Sequence, residues 1–196
     1  MGFIEPVPEE QVTGAVAEAY AADLAEDGYV SNVSRAFSHR PEVVAAWVAL
    51  NTAVTKDMDR RRYELVTIAA ARRMRSSYCM LAHGNVLAGK FYDAERVRAI
   101  ALDHSTAGLD EVDVAVMDLA DKVAADASSV TRADVNGLRD LGLSDAEIFD
   151  VVAAAAMRCF FTKVVDGLGF QPDAAYGDVD AGLRDALVVG RPIEGT

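Results

Sequence analysis

Cys79 and His83 stand four residues apart, and on a helix that spacing places both side chains on one face. Ser76, three residues before Cys79, falls on the same face. Ser76 or Ser77 can cap a helix that starts there, which puts Cys79 in its first turn. A thiol at a helix N-terminus is favoured as the thiolate, and the thiolate is the reactive nucleophile. Glu64 lies on the preceding predicted helix. If the two helices fold as a hairpin, its carboxyl reaches His83 or Cys79, and a Glu64–His83–Cys79 proton relay results. Two other readings stay open. A lone cysteine on an alanine-rich helix is also a small core residue. A Cys-x-x-x-His pair can also ligate metal, but zinc needs three or four protein ligands, and His39 and His104 are the only other histidines.

The elements that would position these residues read as helices throughout. Hydrophobic spacing predicts one from about Gln11 to Glu26, a short amphipathic stretch from Asn32 to Ser38, and a helix opened by Pro41 with Val44, Trp47, Val48 and Val54 on its apolar face. The next runs from Asp57 to about Arg73, with Asp59 as N-cap. The site helix follows to about Leu87, where Gly89 is expected to break it. Asp93 to Leu102 and Asp113 to Ala127 continue the pattern. Thr131-x-x-Asp134 and Ser144-x-x-Glu147 are capping signals. The second opens a long helix to about Gly167, whose run Val151 to Met157 is apolar on all sides and belongs in the interior. Residues 1–30 read as an arm with a first helix, 31–170 as the core of a single domain, and 171–196 as a surface tail, with Ala181 to Val189 as a possible short helix.

Composition agrees. The 196 residues include 35 alanines and 7% aromatics, which favours an all-α fold. The net charge of -12 argues against nucleic acid or an anionic membrane as partner. The longest apolar run is too short to cross a bilayer, and no secretory leader is visible. Met1-Gly2 is a myristoylation-like start, but Pro6 stands where Ser or Thr is wanted. A cytoplasmic location with reduced thiols is expected. Arg72, Arg73 and Arg75 are a basic cluster suited to a helix C-terminus. Cys159, beside Phe160, is read as core, and is a candidate resolving thiol only if the fold brings it close to Cys79.

The stretch from Glu64 to His83 resembles the AhpD-like alkylhydroperoxidase and carboxymuconolactone decarboxylase family. The family motif is a Glu, then twelve residues on a Cys-x-x-Cys-x-x-x-His. Here those positions are Glu64, Ser76, Cys79 and His83. His39-Arg40-Pro41-Glu42 and Asp166-Gly167-Leu168-Gly169 extend the likeness over about residues 30–170. The resemblance implies an AhpD-like helical bundle in which an antiparallel helix hairpin carries the site. It implies a thiol-dependent peroxidase that reduces an organic hydroperoxide or hydrogen peroxide through Cys79, with His83 and Glu64 moving protons. It also implies a homo-oligomer and no metal or organic cofactor. Ser76 replaces the resolving cysteine of the family and is expected as a fourth site residue that hydrogen-bonds the thiolate or the sulfenate. Serine forms no disulfide, so an external thiol or thiol protein must act as reductant. The family's decarboxylase branch supplies the alternative, a lyase or isomerase on a small carboxylated lactone, for which Arg72, Arg73 and Arg75 could supply charge. A catalytically silent helical oligomer is the third reading. Tyr63 and Tyr78 flank the motif and are not carried as catalytic.

Overall fold

The computed structural model describes residues 2–196; Met1, where the acylation-like start begins, lies outside them. Among the described residues there are ten α-helices and no strand. They are α1 (Gly14–Glu26), α2 (Asn32–Ala36), α3 (Pro41–Thr55), α4 (Arg60–Arg73), α5 (Ser77–Lys90), α6 (Ala94–Asp103), α7 (Glu111–Asp126), α8 (Arg132–Asp140), α9 (Asp145–Gly167) and α10 (Ala181–Leu187). Short 3-10 turns lie at Glu9–Gln11, Ala127–Ser129 and Ala174–Asp178.

Helix α4 is the centre. Tyr63 to Ala71 are all buried, the polar Glu64 and Thr67 among them, so this stretch is enclosed on every side. Its neighbours are α5, α7 and α9. Asp59 caps its start by accepting from the Arg62 N–H. At its end the Ser76 N–H bonds the Ala71 carbonyl and the Arg75 N–H bonds that of Arg72. That is a Schellman ending, in which the αL position is usually glycine. Arg75 holds it here, at φ 57°. The tight ending returns the chain as α5, so α4 and α5 form the expected antiparallel hairpin. The capping boxes at Thr131/Asp134 and Ser144/Glu147 both form. A buried ion pair locks α7 onto α4, with Asp113 held by Arg61 and Arg62.

Three local expectations differ. Gly89 does not break α5, which runs on to Lys90; one glycine costs a helix only about 1 kcal/mol. Helix α1 starts at Gly14, because Thr13 is extended and Gly14 has φ 56°. In α3 the expected apolar face is only half covered. No α3 residue is fully buried, and Val48 is 51% exposed, because α3 is an outer helix laid over α1 and α9.

The larger correction concerns 171–196, expected as a surface tail. Leu183, Leu187 and Ile193 are buried in the main core. The Gly190 N–H donates to Ser77 Oγ at 2.8 Å, and Arg75 Nε donates to the Val189 carbonyl at 3.2 Å. Gly84 lets α10 dock: a Cβ there would sit 2.8 Å from Leu187 Cδ1. At Gly190 a Cβ would fall 1.9 Å from the Arg75 carbonyl oxygen. The glycines and charges that read as tail composition are the joints by which this segment closes over α5. Among the described residues no helix is long and apolar enough to cross a membrane.

Candidate active site

Cys79 is the third residue of α5, counted from the Ser76 N-cap. Its side chain is 1% exposed and lines a cleft of about 350 Å³. His83, one turn on, lines the same cleft. His83 Nδ1 lies 2.5 Å from Glu64 Oε2, across the α4–α5 hairpin. Glu64 is fully buried, and Arg60, one turn before it, pairs with its other oxygen at 2.6 Å. With Glu64 as acceptor, Nδ1 carries the proton and Nε2 is left as the base.

Burial, and then the positive Arg158, hold His83 well below the usual imidazole value, down to about 4, against an upward pull from Glu64. The ring is therefore uncharged at neutral pH. The unfolded chain takes up this proton near pH 6.5, while the folded one resists until about 4. Stability from this group is full above pH 6.5 and is lost as pH falls towards 4, with a slope of at most about 1.4 kcal/mol per pH unit. Chemical denaturation at pH 7.5, 6 and 5 checks this: His83→Asn should flatten the fall, and an unchanged slope contradicts it.

The thiol itself has different neighbours from those expected. No hydrogen bond joins His83 to Cys79. Cys79 Sγ lies 3.2 Å from Thr162 Oγ1 and 3.9 Å from Arg158 Nη1, both on α9. Arg158 and Thr162 are one turn apart, so both face the thiol. Arg158 Nη2 donates to the Tyr63 hydroxyl at 2.8 Å, and that hydroxyl donates to Asn51 Oδ1 at 3.0 Å. Burial pulls the guanidinium down, and Cys79 and Tyr63 together hold it above its ordinary value.

The structure brings together Glu64, His83 and Cys79, and leaves Ser76 apart. Ser76 is buried at the N-cap, makes no side-chain cap, and does not line the cleft. Its hydroxyl instead helps lower the Asp166 carboxyl, which burial raises overall. Arg72, Arg73 and Arg75 are engaged elsewhere, with Leu102, Asp121 and Val189. Cys159, one residue past Arg158 on α9, is half-buried and does not line the cleft, and burial pushes its thiol up. Among the described residues no group of three or more His, Cys, Asp or Glu is placed to hold a metal ion. Tyr63 and Tyr78 both line the cleft. Arg158 was the residue to find: a lone arginine after the apolar run Val151 to Met157 is rarely buried without a purpose.

The comparisons bear on this arrangement. The model of the carboxymuconolactone decarboxylase family matches residues 41–122, which carry Glu64, Cys79 and His83. This segment belongs to the carboxymuconolactone decarboxylase family. No curated protein matches the chain by sequence. Among solved structures, the alkylhydroperoxidase AhpD core of an uncharacterized peroxidase-related protein from Ralstonia eutropha JMP134 superposes with TM-score 0.81 at 21% identity, over 89% of this chain and 94% of that one. An uncharacterized peroxidase-related protein from Silicibacter sp. TM1040 gives 0.76 at 20% identity, over 90% and 91%. The debrominase Bmp8 gives 0.75 at 11% identity, over 94% and 97%. The likeness to these three is one of fold, and the fold is that of the family's AhpD-like members.

Proposed function

We propose that the protein is a thiol-dependent peroxidase that reduces organic hydroperoxides or hydrogen peroxide through Cys79. One observation carries the reading. A cysteine in the first turn of α5 faces a cleft that also holds an uncharged histidine oriented by a buried glutamate. A thiol for nucleophilic attack and a base for its proton are what the reaction needs.

His83 Nε2 takes the thiol proton across the cleft. The sulfur attacks the terminal oxygen of ROOH; the S–O bond forms as the O–O bond breaks, and the leaving alkoxide takes a proton from His83. Cys79 is oxidised to the sulfenic acid and the substrate is reduced to ROH. The Thr162 hydroxyl and Arg158 Nη1 hold the sulfur in place through both states. An external thiol, R′SH, then condenses with the sulfenic acid to a mixed disulfide and water. A second R′SH releases Cys79 and leaves R′SSR′. Cys159 does not line the cleft, so resolution within the chain is not part of the scheme.

The test is a slight excess of an organic hydroperoxide with a sulfenic-acid trap, read by intact mass and peptide mapping. Rapid labelling confined to Cys79, slowed about a hundredfold in Glu64→Gln, supports the reading. Labelling no faster than a free thiol overturns it. One observation favours the lyase alternative: the Glu64–His83 pair does not hydrogen-bond the thiol, so it could serve acid–base chemistry alone.

A further inference from the structure

Arg158 is a buried cation with no carboxylate. It is 3% exposed, and its hydrogen-bond partners are the Cys79 sulfur and the Tyr63 hydroxyl rather than any acid. Tyr63 cannot balance it as a donor-saturated partner, since its own proton is given to Asn51. Arg158 Nε has no acceptor at all. The indole Nε1 of Trp47 is a second buried donor without an acceptor. Both side chains line the cleft. An uncompensated buried charge costs several kcal/mol, and buried donors are nearly always paired. Two such donors in one cleft call for an oxygen-rich ligand, and one of them calls for an anion.

The acids of the cleft do not answer this call. Asp23 accepts from Ser31, and Asp173 accepts from the Asn32 N–H and the Tyr78 hydroxyl. Asp27 is exposed, at the end of α1. Next to Arg158, Phe161 lies under the guanidinium and against the Trp47 ring, with centroids 4.6 Å apart. A second, apolar pocket of about 160 Å³ shares Val33, Trp47 and Phe161 with the cleft and adds Val16, Phe37 and Val44.

We infer that the site takes an amphipathic carboxylate: an anionic group at the Arg158 guanidinium where it lines the cleft, and an apolar body against Phe161 and Trp47, which also border the apolar pocket. For turnover this deepens the peroxidase reading and rests on it. The substrate is then a hydroperoxide that also bears a carboxylate, and Arg158 is its specificity residue.

Trp47 is the chain's single tryptophan, so its fluorescence reports occupancy directly. Wild-type protein is titrated with 4-phenylbutyrate and with its methyl ester. The acid should perturb Trp47 and bind about tenfold or more tighter than the ester, the scale of one charge-assisted hydrogen bond. Arg158→Gln should bring the acid down to the ester's affinity. The acid–ester comparison needs no variant and stands if Arg158→Gln fails to fold. Equal binding of acid and ester, or silence of Trp47 at millimolar acid, overturns the inference. Cys79 oxidation is then timed with a carboxylated hydroperoxide and its methyl ester. Fast oxidation by both at equal rates overturns the inference and leaves the peroxidase reading standing. Oxidation by neither, with the acid still binding tighter than the ester, overturns the peroxidase reading and leaves the anion site standing.

Discussion

The Cys79→Ser protein is expected to lose hydroperoxide reduction by at least about a thousandfold and to keep its fold. Removal of a nucleophile costs this much or more where the rest of the site cannot substitute for it. The serine hydroxyl is close in size to the thiol and can still hydrogen-bond Thr162 Oγ1, which lies 3.2 Å from the sulfur. Circular dichroism should therefore superpose on wild type, while peroxide consumption in the presence of a dithiol falls to the uncatalysed rate. Retention of more than about a tenth of the activity would place the chemistry on Glu64 and His83, and lactone substrates would become the ones to try.

The largest effect on stability is expected at Leu187→Ala. Leu187 is fully buried, and its methyl groups rest on the backbone of Gly84 in α5. Truncating a leucine in such a site costs about 2–5 kcal/mol, a fall in Tm on the order of 10 °C for a chain of this size. Leu24→Ala, at a side chain 46% exposed, should move Tm by about 1 °C or less. A Leu187→Ala protein as stable as wild type would mean that α10 does not hold the helix carrying Cys79. Peroxide activity should decline in parallel with stability, since α10 and the Gly190–Ser77 contact brace the first turn of α5.

Much of this arrangement was legible in the sequence because it is local. Caps at Asp59, Thr131 and Ser144, and the face shared by Cys79 and His83, follow from spacings of three and four residues. The Glu64–His83 contact needed only a hairpin between neighbouring helices. What escaped was set by long-range packing. Arg158 and Thr162 meet Cys79 across some eighty residues of sequence, and no local pattern announces such a crossing. Their one signal was negative: a charge placed beside an apolar run. Ser76 was drawn to the site by the same three-residue spacing that placed the others, yet its buried hydroxyl lies outside the cleft. The C-terminal segment was misread because Gly, Pro and Asp mark loops whether or not the loop is buried. Its leucines, at Leu183 and Leu187, carried the correct information at helical spacing.

A sulfur that is 1% exposed meets its two reaction partners unequally. A peroxide group is slender and can enter the cleft end-on. A protein thiol, or any bulky one, must bring its own sulfur into line with a site walled by Arg158, Thr162 and the base of α5. On the proposed peroxidase reading, the reductant expected to reach the sulfur is therefore a small thiol rather than a protein one.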